Sequence, residues 1–456
     1  MGIREENAVT MDTIVALCKR RGFVFPSAEI YGGFANAFDF GPLGVEMKRN
    51  LRELWWRAMV QERDDIVGIE GAMITNPRVW VASGHVEGFN DPLVECRNCR
   101  KRFRLDDLPK GEELAAAWRA KKLDLSGVSC PNCGERKLAD PRQFNLMFKT
   151  FVGPVEDTAS IAWLRPETAQ SIFVDFENIQ QTTRKKLPFG IAQIGKAFRN
   201  EITPCNFIFR SREFEQMEMQ YFTRPSDAPR FYDEWKETRL AWHVEQGIPR
   251  EKMRFRDHAD DERAHYAAAA TDIQFAFPFG WNEFEGIHYR TDYDLRRHSE
   301  FSGKNLEYFD DVANERFIPH VVETSVGADR ATYAILCAAY DEEPDKEGTR
   351  VVLRLRPHLA PYKVAVLPLS KNERLVPLAR EVWSKIRPAF MSTYDETQAI
   401  GRRYRRQDEI GTPLCVTVDF VSLDDQQVTI RERDSMSQIR VAIADLVPAL
   451  REKLGA

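Results

Sequence analysis

What this chain of 456 residues has little of narrows its nature first. No apolar run is long enough to cross a bilayer as a helix. The opening stretch, 1–10, is polar and carries no apolar core of a secretory signal. Cysteine is scarce, eight in 456, which does not suit a disulfide framework. Neither sign of charge dominates, because 65 Lys and Arg against 70 Asp and Glu leave a net −5. That balance gives no general attraction to nucleic acid, although a local basic patch counts for more than the sum. Internal repeats and low-complexity tracts are missing too. With 43% hydrophobic and 30% charged residues, the chain reads as a globular, cytoplasmic protein with no membrane partner.

The length suggests two to four domains at roughly 150 residues each. Apolar residues recur at helical spacing over 11–21, and more strongly over 45–60, where Leu51, Leu54, Trp55 and Met59 share one face. A strand is expected over 66–71, and Pro77 ends that extended region. Residues 86–160 differ in composition and read as an insertion. Residues 225–275, rich in charge and alanine, read as a second, helical insertion. The charged stretch 341–350, with Pro344 and Gly348, reads as a linker. After it, 363–367, 375–390, 415–421, 428–432 and 436–450 read as strands alternating with helices in a compact α/β unit.

The cysteines that are present are informative by spacing. Cys96-x-x-Cys99 and Cys130-x-x-Cys133 stand thirty residues apart. Each pair can turn back on itself, and two pairs make a closed tetrahedral site, which suits structural Zn²⁺. Free thiols are the alternative.

The centre of the chain holds a different mixture. Arg199-Asn200-Glu201 is followed, after a loop, by Arg210, Arg212, Glu213, Phe214, Glu215 and Glu218 on what reads as two strands. Arginine forks grip phosphate oxygens, an aromatic face can stack on a purine, and carboxylates hold Mg²⁺ or an ammonium group. That is what ATP and a small cationic substrate need, although a charged surface hairpin would look similar. Downstream, Glu323-Thr324-Ser325-Val326-Gly327-Ala328-Asp329-Arg330 reads as a strand, a tight glycine turn and the start of a buried helix.

These residues resemble the class II aminoacyl-tRNA synthetases. Phe198-Arg199-Asn200-Glu201 with Arg210-x-x-x-Phe214 matches the second motif of that class, and Gly327-Ala328-Asp329-Arg330 matches the third. Within the class the chain is similar to the homodimeric glycyl type. The strings that carry this are Tyr31-Gly32-Gly33, Phe40-Gly41-Pro42-Leu43-Gly44, Arg165-Pro166-Glu167-Thr168-Ala169-Gln170, Arg290-Thr291-Asp292-Tyr293-Asp294-Leu295 and Gly401-Arg402-Arg403-Tyr404-Arg405-Arg406.

The resemblance implies an α+β protein whose antiparallel sheet is flanked by helices, with insertions and a C-terminal α/β anticodon-binding domain. Its bounds would be 1–85 for the first catalytic part, 86–160 for the cysteine insertion, 161–340 for the second catalytic part and 350–456 for the anticodon-binding domain. It implies glycine–tRNA ligase activity on ATP, glycine and tRNA(Gly), with Mg²⁺ accompanying ATP. Arg199, Glu201 and Arg330 would be catalytic. Arg199, Asn200, Glu201, Arg210, Arg212, Phe214, Glu283, the backbone of Phe284, Gly327 and Arg330 would bind ATP, with Arg210 and Arg212 equal candidates for its terminal phosphates. Phe214 would stack on adenine with Arg330 on the other face. Arg104, Glu167, Phe214, Glu218, Glu323 and Ser325 would form the glycine site. Arg402, Arg403, Arg405 and Arg406, interleaved with Tyr404, would meet tRNA, and Ser83-Gly84-His85 would lie near its acceptor end. One departure is Gln220, where the family pattern leads to an acid. Two other readings stay open: a class II enzyme for another small or hydroxylated amino acid, and a non-catalytic relative serving as an RNA-binding or regulatory subunit.

Overall fold

The computed structural model describes residues 9–264, 266–345 and 348–455. A seven-stranded sheet is its frame. In chain order the strands are β1 (Ile66–Gly68), β2 (Phe189–Phe198), β3 (Glu213–Thr223), β4 (Met253–Asp257), β5 (Ala269–Phe277), β6 (Gly280–Thr291) and β7 (His320–Gly327). In space they run β4-β5-β6-β7-β3-β2-β1. Every pairing is antiparallel except β1 on β2.

Helices cover the sheet. They include α1 (Met11–Arg21), α2 (Pro42–Trp56), α3 (Ala169–Val174), α4 (Ala228–Glu245) and α5 (Ala328–Ala339). Helix α1 starts where the Thr10 hydroxyl accepts from the Thr13 N–H at 3.2 Å. It stops at Gly22, whose φ of +79° suits a residue without Cβ. In α2, Pro42 occupies the first turn, where its missing N–H has no intrahelical partner in any case. Met47, Leu51 and Trp55 on its inner face are fully buried, each contributing about 2 kcal/mol. Helix α5 is apolar nearly all round because it is enclosed nearly all round.

The 225–275 stretch corrects the expectation of a helical insertion. Only α4 is helical for any length; 253–257 and 269–277 are the sheet strands β4 and β5. Ala270 is buried between neighbouring strands and Ala269 partly so, and sheet pairing overrides their helix propensity. The 341–350 stretch is no free linker either. Tyr340–Asp345 and Gly348–Leu353 form an antiparallel pair, and residues 346 and 347 of the expected linker lie outside the described residues.

Beyond this hairpin stand β8 (Val364–Pro368), α6 (Leu375–Ile386), β9 (Ser392–Tyr394), α7 (Ile400–Ile410), β10 (Leu414–Val418), β11 (Gln427–Glu432), β12 (Gln438–Ala442) and α8 (Leu446–Leu454). The sheet order is β9-β8-β10-β11-β12, parallel at one edge and antiparallel at the other. The stretch 436–450 thus holds both a strand and the start of a helix. Two alternating runs of Val, Ile and Leu give this unit its own core, with Val366, Val382, Val416 and Ile430 fully buried. Helix α2 is tied to the segment that leads into this unit, where the Asn50 amide donates to the carbonyls of Leu359 and Ala360 at 3.3 and 3.1 Å.

Candidate active site

Strands β3, β6 and β7 carry a cavity of about 420 Å³. Its floor follows from the period of a strand, since side chains two apart share a face. Gln216, Glu218 and Gln220 face one way on β3 and stand opposite Gly327, Ser325 and Glu323 on β7. Gly286 and His288 of β6 stand opposite Ser325 and Glu323 on the other side. The sequence-predicted Glu218, Glu323 and Ser325 are therefore neighbours by register.

Glu167 reaches the same place from outside the sheet. Its predecessor Arg165 is buried, donating from Nη1 to the Gly71 carbonyl at 2.7 Å and from Nε to that of Lys196 at 2.6 Å. Gly195 makes room for it, because a Cβ there would lie 2.2 Å from the guanidinium. The Thr168 N–H donates to Glu218 at 3.1 Å, and its hydroxyl donates to the same oxygen.

A charge network holds these carboxylates. Arg290, fully buried, donates to Glu323 at 2.7 Å and with two nitrogens to Asp294 at 2.8 and 2.9 Å. His288 meets the other Glu323 oxygen at 2.6 Å. The Gln220 amide donates to Glu323 at 2.7 Å and to Glu218 at 3.2 Å. Glu167 accepts from Gln170 at 2.9 Å and stands 3.2 Å from His85. Burial, with Glu323 and Glu167 alongside, pushes the Glu218 carboxyl well above its usual range. Burial acts on Glu323 in the same sense, but Arg290 and His288 overcome it and hold that carboxyl down at about 2. Glu167 is likewise held low against burial by His85 and Arg290. Three carboxylates thus converge, and burial favours the protonated form of one of them.

The other end of the cavity is cationic and aromatic. Arg199 lies between the rings of Phe89 and Phe214, 5.3 Å from each centroid, and donates to the Pro166 carbonyl at 3.0 Å. Arg330, on the first turn of α5, lies over Phe209 at 4.2 Å and pairs with the half-exposed Glu283 at 3.3 Å. Phe284 lines the cavity, with a buried ring. Glu201 is buried, and its Oε2 has no hydrogen-bond partner. An unsatisfied buried acceptor of this kind suits a donor supplied by a ligand.

Several expectations change. Arg210 lines the cavity, whereas Arg212 lies in a separate groove, over Phe34 at 5.5 Å. Asn200 does not line the cavity; its N–H donates to the Leu146 carbonyl at 2.8 Å. Arg104 does not reach the carboxylate floor either. It is taken up by Asp91 at 3.1 Å and Asp106 at 2.7 Å, with Glu201 at 3.8 Å. Gly327 has φ −73°, so its conformation does not require glycine. A Cβ there would meet protein atoms no nearer than 3.5 Å.

The largest correction concerns the arginine cluster. It lies on helix α7, where most of its side chains are engaged within the protein. Arg403 is 1% exposed and donates to the carbonyls of Pro368, Glu396, Thr397 and Gln398. Arg405 pairs with Asp345 and Asp408, and Arg406 with Asp395. Tyr404 bonds Thr417 at 2.5 Å and lies under Arg431. These side chains hold the fold; Arg402 remains exposed.

Gln170, His288 and Arg290 were not foreseen as site residues, and His85 was expected only near the acceptor end of tRNA, not beside Glu167. Arg290 and Asp294, four apart in a chemically rich string, offered the one local signal; Arg290 is at the end of β6 and Asp294 in the helix Tyr293–Ser302 that follows.

Away from this cavity, the four Sγ atoms of Cys96, Cys99, Cys130 and Cys133 lie within 4.8 Å of one another. The closest pairs are 3.7 Å apart. A tetrahedron with metal–sulfur bonds of about 2.3 Å has edges of about 3.8 Å, so the set fits zinc. A hydrogen bond from the Lys101 N–H helps to bring the Cys99 thiol down to about 6.

Comparison with known proteins adds lineage to geometry. Residues 155–340 match the model of the tRNA synthetase class II core domain (G, H, P, S and T), and 363–453 match the anticodon binding domain. The glycine–tRNA ligase of Caldanaerobacter subterraneus subsp. tengcongensis is 53% identical over 98% of this chain and 99% of its own. That of Geobacillus kaustophilus is 52% identical over the same shares. A crystal structure of prolyl-tRNA synthetase from Cryptosporidium parvum, with L-proline and AMP, superposes with a TM-score of 0.63 at 13% identity. It covers 98% of this chain and 78% of that one, and shows the shared fold.

Proposed function

The chain belongs to the glycine–tRNA ligase family, with a class II synthetase core and an anticodon-binding domain, and from that premise we propose how its cavity works. It activates glycine with ATP and passes the glycyl group to the 3′ end of tRNA(Gly). The glycine carboxylate attacks the α-phosphorus, the bond to the bridging oxygen breaks, and pyrophosphate leaves. A ribose hydroxyl of the tRNA then attacks the activated carbonyl and AMP leaves. The protein supplies position and charge rather than a covalent nucleophile.

The observation that carries this reading is the polarity of one cavity: three buried carboxylates at one end, and Arg199, Arg210 and Arg330 with aromatic rings at the other. Glu167, Glu218 and Glu323, with the Ser325 hydroxyl, take the ammonium group. Arg199 bridges the α-phosphate and the glycine carboxylate. Phe214 offers its free face to adenine, and the unsatisfied Glu201 oxygen accepts from the adenine amine. Arg330 and Arg210 serve the outer phosphates. Mg²⁺ would accompany ATP, and Glu283 is the carboxylate at hand beside Arg330. When bound it neutralises phosphate charge.

Glycine has no side chain to grip, so selection rests on exclusion. The wall is β-sheet and a buried ion network, which yields little to an added methyl group.

We also read 86–160 as a zinc-stapled insertion, 1–85 with 161–340 as the catalytic body and 350–456 as the anticodon-binding domain. A homodimer accounts for the exposed Ile30, Tyr31 and Phe34, the last of which lines the groove holding Arg212. The reducing cytoplasm suits the thiols. The deciding experiment is exchange of labelled pyrophosphate into ATP with glycine, alanine, serine, threonine and proline. Exchange with glycine alone is expected; exchange driven by another amino acid would overturn the pocket assignment.

A further inference from the structure

The cysteine-bearing insertion meets charged side chains of the cavity at Glu201, which Arg104 approaches to 3.8 Å, and more closely at Arg210. Its strand Arg102–Arg104 pairs with Asn90–Glu95, and the Cys96–Cys99 turn joins the two. The next turn, Leu105–Asp107, is pinned from below, because Leu105 and Leu108 are buried with Val94 in the insertion's own small core. Asp107 then projects towards the catalytic body. Both its oxygens accept from Nη1 of Arg210, at 3.0 and 3.3 Å. Among the described residues, nothing else accepts from the Arg210 guanidinium.

The backbone of Arg210 is fixed as well. It bridges Cys205 across the loop, and the Asn36 amide donates to the Arg210 carbonyl at 2.6 Å. Arg210 is thus fastened at its backbone and at one guanidinium nitrogen. The Nε–Nη2 edge, the edge that matches two phosphate oxygens, is left without a protein partner.

We propose that Asp107 is a positioning residue for ATP: it clamps Nη1 of Arg210 so that the Nε–Nη2 edge is presented to the terminal phosphates. This rests on reading the cavity as the ATP site. A free arginine would have to give up side-chain freedom when it grips phosphate; one already clamped has given it up beforehand. The clamp is carried by a module that the stapled cysteines shape, which gives the insertion a part in nucleotide binding.

The test is glycine-dependent pyrophosphate exchange with the wild type, Asp107→Asn, Asp107→Ala and Asp107→Glu, with ATP and glycine varied in turn. Asp107→Ala should raise the KM for ATP about tenfold, the range expected when one charge-assisted hydrogen bond is lost. Asp107→Asn, which keeps the shape, should raise it less. Asp107→Glu should recover most of the loss. The KM for glycine and the melting temperature should stay at wild-type values. An unchanged KM for ATP overturns the proposal, and so does a fall, which would mean that Asp107 competes with phosphate for Arg210. A wild type that exchanges with no amino acid overturns the reading of the site itself.

Discussion

At the scale of single residues the chemistry turns on protons and on spent charges. Glu218 is neutral below its raised pKa and anionic above it, and only the anion attracts an ammonium group. The KM for glycine should therefore fall as pH rises through that value, and the Glu218→Gln profile should be flat. The empty protein binds this proton more tightly folded than unfolded, so Glu218 costs stability as pH rises from the ordinary carboxylate range towards the raised value. Gln220 shows why an amide is tolerated where an acid was expected. It donates to Glu218 and Glu323 together, which a carboxylate could not do. Gln220→Glu should push the Glu218 carboxyl higher still and move the glycine pH profile upward. Glu167, Glu218, Glu323 and Ser325 were legible because short motifs keep their residues together. His85 and His288 were not, because what makes them matter is a neighbour from a distant segment.

At the scale of elements, α7 is instructive because one arginine of its basic cluster is buried. Five basic or aromatic residues in a row look like an RNA surface, yet helical spacing puts Arg403, Gln407 and Ile410 on one buried face. Only the structure shows that the Arg403 guanidinium is consumed by carbonyls. Arg403→Ala should therefore melt the C-terminal unit earlier, by at least about 2 kcal/mol, because buried acceptors lose their donor. Arg402→Ala should leave melting unchanged. Strand β6 carries a second such anchor on its far face. Glu285, fully buried, pairs with Arg239 of α4 at 2.6 Å and bonds His243; against burial, Arg239 leads in holding it down at about 2. Its folded pKa is depressed, so its contribution is full above the ordinary carboxylate range and is lost as pH falls towards 2. Glu285→Ala should destabilise by about 3–5 kcal/mol in thermal unfolding at neutral pH. The alternating pattern of β6 gave no hint of this, since charge inside a sheet reads as a solvent face until a helix covers it.

At the scale of the whole molecule, the catalytic and C-terminal units are joined by polar couplings. Arg350, 1% exposed, lies in the connecting hairpin. It donates to Asp408 of α7 at 2.9 Å, to Glu343 beside it and to the Arg433 carbonyl. Arg350→Ala should leave pyrophosphate exchange near the wild-type rate while lowering tRNA charging several-fold, and calorimetry should resolve two melting transitions in place of one. The order of catalytic body and α/β unit was legible, because each has its own periodicity. The bond between them was not, since a stretch with proline and glycine reads as a tether.

The burial of Arg403 and the pairing of Arg405 and Arg406 with aspartates also bear on how the protein responds to its ionic surroundings. Each phosphate contact on single-stranded RNA displaces about 0.7 of a counterion. Four exposed arginines would give a logarithmic salt slope of about 3, whereas Arg402 alone gives about 0.7. Contact with an anticodon at this helix would then depend on stacking and neutral hydrogen bonds. It would hold nearly the same strength in dilute salt as in concentrated salt.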